Sequence, residues 1–294
     1  MQKLFILGIA LLAGLYSQAQ NDYLNAQAEE DKKIYSGGEG HQVETYEHDF
    51  KGEKPQNIIL MIADGMGVAH LHAGLIANSG RIFIENFKYM GLTKTSSADN
   101  YITDSAAAGT ALSTGQKTTN GAIGVDPENR PLQTILEQAE ENGLATGLVS
   151  TSSITHATPA SFIAHEESRN NYEAIAADFL DTDIDVFIGG GYKHFTERKD
   201  GRNLAEELKE KGYEVEQDLS DIQKVRKGKL AGFTAFEHNG RLEERGDLLP
   251  VATETAIEIL DRNQKKGLFN QKGFFLMVEG SQVDWGGHAG DTQY

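Results

Sequence analysis

The chain has 294 residues, 39% of them hydrophobic and 24% charged, which suits one large α/β domain with a substantial core. Its formal net charge of −17 argues against a general binder of nucleic acid or anionic membrane, so a phosphate-like ligand would need local cations, either Arg and Lys or bound metal. There is no cysteine, which excludes disulfides and thiolate metal sites and leaves Asp, Glu, His, Ser and Thr as ligands.

Residues 1–19 read as an export signal. Lys3 gives a positive start, Leu4 to Tyr16 is apolar, and Ser17-Gln18-Ala19 is a small-x-small cleavage site before Gln20. The apolar run is short for a membrane span, so the expectation is a periplasmic or secreted protein with no span once the signal is removed. Residues 20–55 are polar and read as an N-terminal arm. The folded domain is expected over 56–294.

From Asn57 onward, short apolar runs alternate with amphipathic stretches. Ile58 to Ile62 reads as a buried strand, followed by a helix with Val68, Leu71, Leu75 and Ile76 at helical spacing. A helix is expected to begin at Pro131 and end at Gly143. Ala145 to Val149 is a strand, Tyr172 to Leu180 a helix, and Asp185 to Ile188 a strand ending in a tight turn at Gly189-Gly190-Gly191. Leu204 to Lys211 is a helix. The charged stretch 192–250 otherwise reads as a surface elaboration. A helix carrying Ala252, Ala256, Ile259 and Leu260 precedes a last strand, Phe274 to Val278. Such alternation implies a three-layer α/β/α sandwich with a mainly parallel central sheet. Ligands of such sheets bind beyond the carboxyl ends of the strands, where Asp64, Ser150, Gly189 and Glu279 fall.

Ser105, in Thr103-Asp104-Ser105-Ala106-Ala107-Ala108-Gly109, stands where a turn gives way to an Ala-rich helix start. A helix start offers free N–H groups and a positive dipole end to an anion, although a lone serine there can simply be a cap. Asp64 lies between a strand and the Gly65-Met66-Gly67 turn, and reads equally as a metal ligand or a helix cap. Glu279, Asp284 and His288 fall within ten residues after a strand, and Asp284 and His288 face one ion if their segment is helical. His156 and Thr158 are weaker candidates, since Thr158 before Pro159 also fits a cap. Arg169 is an ordinary helix-surface cation or the bidentate fork that an anion requires. His165 and His194 read as packing or surface histidines.

Together these segments resemble the alkaline phosphatase family, from about Asn57 to Tyr294. The resemblance rests on Ile62-Ala63-Asp64-Gly65-Met66-Gly67, on Thr103-Asp104-Ser105-Ala106-Ala107, on His156-Ala157-Thr158-Pro159 with Arg169 thirteen residues after His156, and on Val278-Glu279-Gly280 through Asp284 to His288. It implies an alkaline-phosphatase-like catalytic domain over 56–294 that hydrolyses phosphate monoesters and releases inorganic phosphate. In that pattern Ser105 is the nucleophile, passing through a phosphoserine, and Arg169 grips the phosphoryl oxygens. Two zinc ions and one magnesium are implied. Asp64 is shared between the second zinc and magnesium, Asp284 and His288 belong to the first zinc, and Glu279 and Thr158 belong to magnesium. His156 acts through a metal-bound water, and Trp285 stands where other members carry Lys or His. A homodimer is implied as well.

Family members continue past the equivalent of Tyr294, bringing an Asp-His pair to the second zinc and another His to the first. The chain is therefore expected to be incomplete at the C-terminus, weakly active or inactive as it stands, and active when extended. A related metal-dependent phosphodiesterase is the nearest alternative, against which Ser105 rather than Thr speaks. An inactive phosphate- or metal-binding fragment is the other.

Overall fold

The side chains of the central strands of a parallel sheet alternate between two apolar layers, and this alternation organises the described fold. The structure is a computed structural model and describes residues 40–46, 54–264, 272–292 and 294. The signal reading over 1–19 lies outside the described residues, as does most of the expected arm. From the arm, the Tyr46 backbone N–H donates to Asn86 of the folded domain, and the Glu44 carbonyl accepts from the Asn86 side chain.

The strands are β1 (Ile58–Ala63), β2 (Ala145–Ser153), β3 (Val186–Gly190), β4 (Tyr213–Glu216), β5 (Lys229–Ala235) and β6 (Phe274–Gly280). They form one sheet in the order β1-β6-β2-β3-β5-β4, with every pairing parallel. The helices are α1 (Val68–Ala77), α2 (Ser105–Thr114), α3 (Ile135–Glu141), α4 (Ala157–Ala160), α5 (Tyr172–Asp178), α6 (Tyr192–Thr196), α7 (Leu204–Glu210), α8 (Leu219–Ile222), α9 (Leu242–Arg245), α10 (Leu248–Asn263) and α11 (Gln282–Ala289). Among the described residues no helix is long and apolar enough to cross a membrane.

Strand β6 shows the division. Phe275 and Met277 enter the core under α3, α5 and α7, while Phe274, Leu276 and Val278 enter the core under α10. The spacing of Ala252, Ala256, Ile259 and Leu260 turns one face of α10 onto the sheet, and all four are buried. The three-layer parallel architecture is the one expected from the alternation.

Three local expectations are corrected. The Ile58–Ile62 strand is not buried: β1 is an edge strand that pairs only with β6, and Met61 is 68% exposed. Its apolar residues mark it as a strand, but no described element covers both of its faces, and α1 beside it has no buried residue. The stretch 192–250 is no surface elaboration. It supplies β4 and β5, with Leu230, Ala231 and Phe233 fully or almost fully buried, because short strands between charged helices lose their signal in the average. The helix expected from Pro131 starts later. Thr134 caps α3, its hydroxyl accepting from the Glu137 N–H while the Glu137 carboxylate accepts from the Thr134 N–H, a reciprocal box that fixes the start better than proline does.

Phe187, fully buried, touches Phe179, Phe195, Tyr213 and Phe233 by ring contacts. It joins β3 to α5, α6, β4 and β5, so Phe187→Ala is expected to cost about 3–5 kcal/mol. Urea denaturation followed by circular dichroism checks this.

Candidate active site

The local sequence at α2 assigns separate jobs to neighbouring residues. Asp104 caps the helix, its Oδ1 accepting from the Ala107 N–H at 2.9 Å. Ser105 is thus released from capping, and its Oγ donates to Asp64 Oδ2 at 2.9 Å. Ala106 and Ala107 behind it are buried and anchor the helix end. The second Asp104 oxygen, Oδ2, accepts from Arg169 at 2.9 Å and from the Gly121 N–H at 3.1 Å. The nucleophile candidate, the guanidinium and the 120–125 loop therefore meet at one carboxylate.

Sheet register places the other carboxylates. Ile62 on β1 and Ser150 on β2 both pair with Glu279 on β6. Asp64, two residues beyond Ile62, emerges at the same carboxyl edge. Gly65 follows with φ of +64°, and a Cβ there would lie 2.4 Å from Asp284 Oδ1, so only glycine lets Asp64 and Asp284 approach. Burial raises the Asp64 carboxyl above its ordinary value, the Ser105 hydrogen bond opposes this, and the nearby Asp284 charge adds to it. Asp284 and His288 lie one turn apart on α11, with His288 Nε2 3.5 Å from Asp284 Oδ1.

Glu279 is fully buried. Its Oε2 accepts from Ser150 at 2.6 Å and from Ser281 at 2.5 Å, whereas Oε1 has no hydrogen-bond partner. Burial pushes this carboxyl up to about 7, against the opposing hydrogen bonds of Ser150 and Ser281. Thr158 lies within α4, whose N-cap position is His156, so Thr158 is not the cap that its place before Pro159 suggested.

His156 lies on the other side, beside Arg169. A guanidinium N–H points at His156 Nε2 at 3.2 Å, so the ring accepts there and is neutral. Burial, the Arg169 charge and His238 bring its pKa down to about 3. Its ring meets His238 and Trp285 edge-on, with centroids 5.5 and 6.0 Å away. Beyond His238 opens a groove of about 620 Å³, walled in part by Asn171, Tyr172 and His194.

Contacts or neighbouring charges thus relate all eight candidates. Asp64 joins Ser105 directly and senses the charges of Asp284 and Arg169, Asp284 meets His288, Arg169 meets His156, and Glu279 senses the Asp64 charge with the Thr158 hydroxyl nearby. The oxygen donors Glu279, Thr158 and Asp64 suit a hard cation, and the unpartnered Glu279 Oε1 is a buried polar atom that a cation would satisfy. The zinc set is less complete. Among the described residues no three His, Asp or Glu side chains converge as metal ligands, while a catalytic zinc takes three protein ligands. Ser150 stands out in the sequence only by its place at a strand end, and Ser281 and His238 carry no motif signal. The register of β2 and β6 and the return of the 235–240 segment bring them in.

A parallel α/β sheet with a serine at a helix start, a guanidinium beside it and carboxylates at the strand ends forms a site at which an anion and cations could be held together. The family model described as alkaline phosphatase matches residues 55–294, and the chain belongs to that family. Alkaline phosphatase 4 of Bacillus subtilis is 40% identical, with 88% of this chain covering 58% of that protein. Alkaline phosphatase of Escherichia coli is 32% identical, with 82% of this chain covering 63% of it. The chain therefore spans less than two thirds of the length of these relatives. The solved alkaline phosphatase of the Antarctic bacterium TAB5 superposes with a TM-score of 0.75 at 41% identity, covering 82% of this chain and 70% of that one. A variant of the TAB5 protein, solved with magnesium bound, gives 0.73 at 42% identity, covering 81% of this chain and 67% of that one.

Glu279 also gives a pH signature. Its folded pKa of about 7 exceeds the unfolded value of 4.5, so the native state holds a proton that the unfolded chain releases. With a chelator present, stability is expected to fall as pH rises from about 4.5 to about 7 and then level off. Thermal melts across that range check it, and Glu279→Gln should remove this part of the slope.

Proposed function

We propose that the chain carries phosphomonoester-hydrolysing machinery in which Ser105 is the nucleophile. The observation that carries this reading is the 2.9 Å bond from Ser105 Oγ to Asp64 at a helix start capped by Asp104. That bond directs the hydroxyl proton at Asp64 Oδ2 and leaves the oxygen lone pairs free for phosphorus. Attack by Ser105 Oγ forms an O–P bond, expels the substrate's alcohol and leaves a phosphoserine. Water then breaks the Ser105–phosphorus bond and releases inorganic phosphate. Arg169, held by Asp104, presents its remaining N–H groups to the phosphoryl oxygens, together with the open N–H groups of the first turn of α2.

Glu279, Thr158 and Asp64 would hold magnesium, and Asp64, Asp284 and His288 would contribute to two zinc sites. Bound divalent cations supply positive charge that favours the ionised serine and offsets charge on the phosphoryl group. The all-oxygen donor set, the unpartnered Glu279 oxygen and the magnesium found in the TAB5 variant support the magnesium site. The zinc assignment and a homodimer rest on the family resemblance. Export to the periplasm or medium rests on Lys3, the apolar run to Tyr16 and the cleavage site at Ala19.

Hydrolysis of para-nitrophenyl phosphate with added zinc and magnesium tests the reading. Ser105→Ala is expected to abolish turnover while leaving the fold intact by circular dichroism, and unchanged turnover would remove Ser105 from the mechanism. Arg169→Ala is expected to weaken inhibition by inorganic phosphate roughly ten- to hundredfold, the loss of a charged hydrogen-bond donor worth about 1.5–3 kcal/mol.

A further inference from the structure

His165 does not behave as the surface or packing histidine that its sequence context suggests. Both of its ring nitrogens face acceptors. Nδ1 lies 2.7 Å from the Gly124 carbonyl oxygen, and Nε2 lies 3.0 Å from Glu137 Oε1. A neutral imidazole carries one N–H and can satisfy only one of them, whereas the imidazolium satisfies both. The backbone N–H of His165 is also engaged, donating to Asp178 Oδ2 at 3.0 Å.

The segment that His165 opens leads to Arg169. Ile123 and Glu166 exchange backbone hydrogen bonds at 2.8 and 2.9 Å, and the Arg169 N–H donates to Gly121 O at 2.7 Å. The 120–125 loop is tied in turn to the Ser105 helix, because the Gly124 N–H donates to Thr110 Oγ1 at 2.9 Å. Gly124 has φ of +57°, and a Cβ there would lie 2.1 Å from the Ala164 carbonyl oxygen, so the two strips are pressed together at this point. Glu137 closes the arrangement from α3, its other oxygen completing the capping box with Thr134.

We propose that His165, held as an imidazolium between the Gly124 carbonyl and the Glu137 carboxylate, is a positioning residue that fixes the Arg169 segment against the nucleophile helix. The link to phosphate rests on the phosphatase reading, whereas the clamp itself does not. The titratable groups facing His165 are Glu137 on α3 and Asp178 at the end of α5. Glu166, next in its own segment, raises the Asp178 carboxyl further. The Glu137 hydrogen bond lifts the His165 pKa above its ordinary 6.5, against partial burial, with further support from Gly124 and Asp178. A raised histidine pKa means that the clamp is complete below about pH 6.5 and is lost as pH rises through the folded value. The Arg169 segment is therefore tightest on the acid side of the folded His165 value and loosens as pH rises through it.

NMR titration of the intact chain tests the clamp, with the His165 ring signal assigned by its absence in His165→Gln. Amide exchange protection is followed in parallel at Ile123, Glu166 and Arg169. His165 is expected to titrate above 6.5, and protection at the three amides to fall roughly fivefold over the same range, one net hydrogen bond's worth. Glu137→Gln keeps the capping box but removes the charge, so it should lower the His165 pKa and move the protection step with it. In His165→Gln the step should vanish. Titration of His165 at or below 6.5, or protection that ignores its ionisation, overturns the proposal. With para-nitrophenyl phosphate, KM should rise across the same range while kcat changes less, and His165→Gln should lack that inflection. A pH-independent KM in the active protein overturns the link to Arg169. The NMR and exchange measurements need no turnover, so they decide the clamp independently of the phosphatase reading, which the hydrolysis assays test.

Discussion

One carboxylate, Asp104, holds the site in register. Its two oxygens serve three partners in three chain segments: the Ala107 N–H inside the Ser105 helix, the Gly121 N–H in the following loop, and the Arg169 guanidinium. Each bond would be modest alone, but all share one half-buried charge, so loss of any of them leaves that charge less well solvated by protein. The helix start, where an anion is favoured, and the cation that would grip the anion are thereby held at a fixed separation. The 120–125 loop extends this linkage to Gly124 and His165, so that α2, α3 and the Arg169 segment form one hydrogen-bonded unit around the site.

Glu279 poses the opposite problem. It lies at the end of a strand whose other residues are almost all buried hydrophobics, and burial disfavours its ionised form. Hydroxyls from Ser150 and Ser281 offset part of that cost at Oε2, while Oε1 is left without a partner. Hydroxyls alone do not stabilise a buried carboxylate fully, and a divalent cation bound beside it would supply the opposite charge they lack. Asp64 shares the same tension in milder form, raised by burial and by Asp284 while Ser105 and Arg169 oppose. Carboxylates crowded in this way repel one another unless positive charge lies between them, which is the physical basis for reading the cluster as cation-binding.

The surface beside the site has a different character. His156, His238 and Trp285 meet edge to face, and burial keeps His156 neutral. This aromatic wall leads from Arg169 to the groove beyond His238, whose far lining includes Glu173, Lys193 and Lys199, while the buried carboxylates collect on the Asp64 and Glu279 side. The site is thus polarised, with a carboxylate face toward the β1–β6–β2 strand ends and an imidazole–indole face toward the groove.

Much of the candidate site was legible in the residues because its polar side chains sit in short local motifs. The Asp64 turn, the Asp104-Ser105 helix start and the Asp284–His288 helical turn each depend on neighbours within a few positions, and local backbone preference enforces them. The α/β alternation was legible for the same reason, since period and strand length are local properties. Strand order was not. That β6 inserts between β1 and β2, bringing Ser150 against Glu279 across more than a hundred residues, follows from which apolar faces can be buried together. The exposure of β1, the recruitment of β4 and β5 into the sheet, and the clamping of His165 between Gly124 and Glu137 likewise depend on partners distant in the chain. The amino-acid sequence alone determined which chemical groups stand at which strand and helix ends, because covalent spacing and local propensity act over a few residues. Tertiary structure alone decided which of those ends face one another and which ionisable groups lose their water, because burial and register are set by long-range packing.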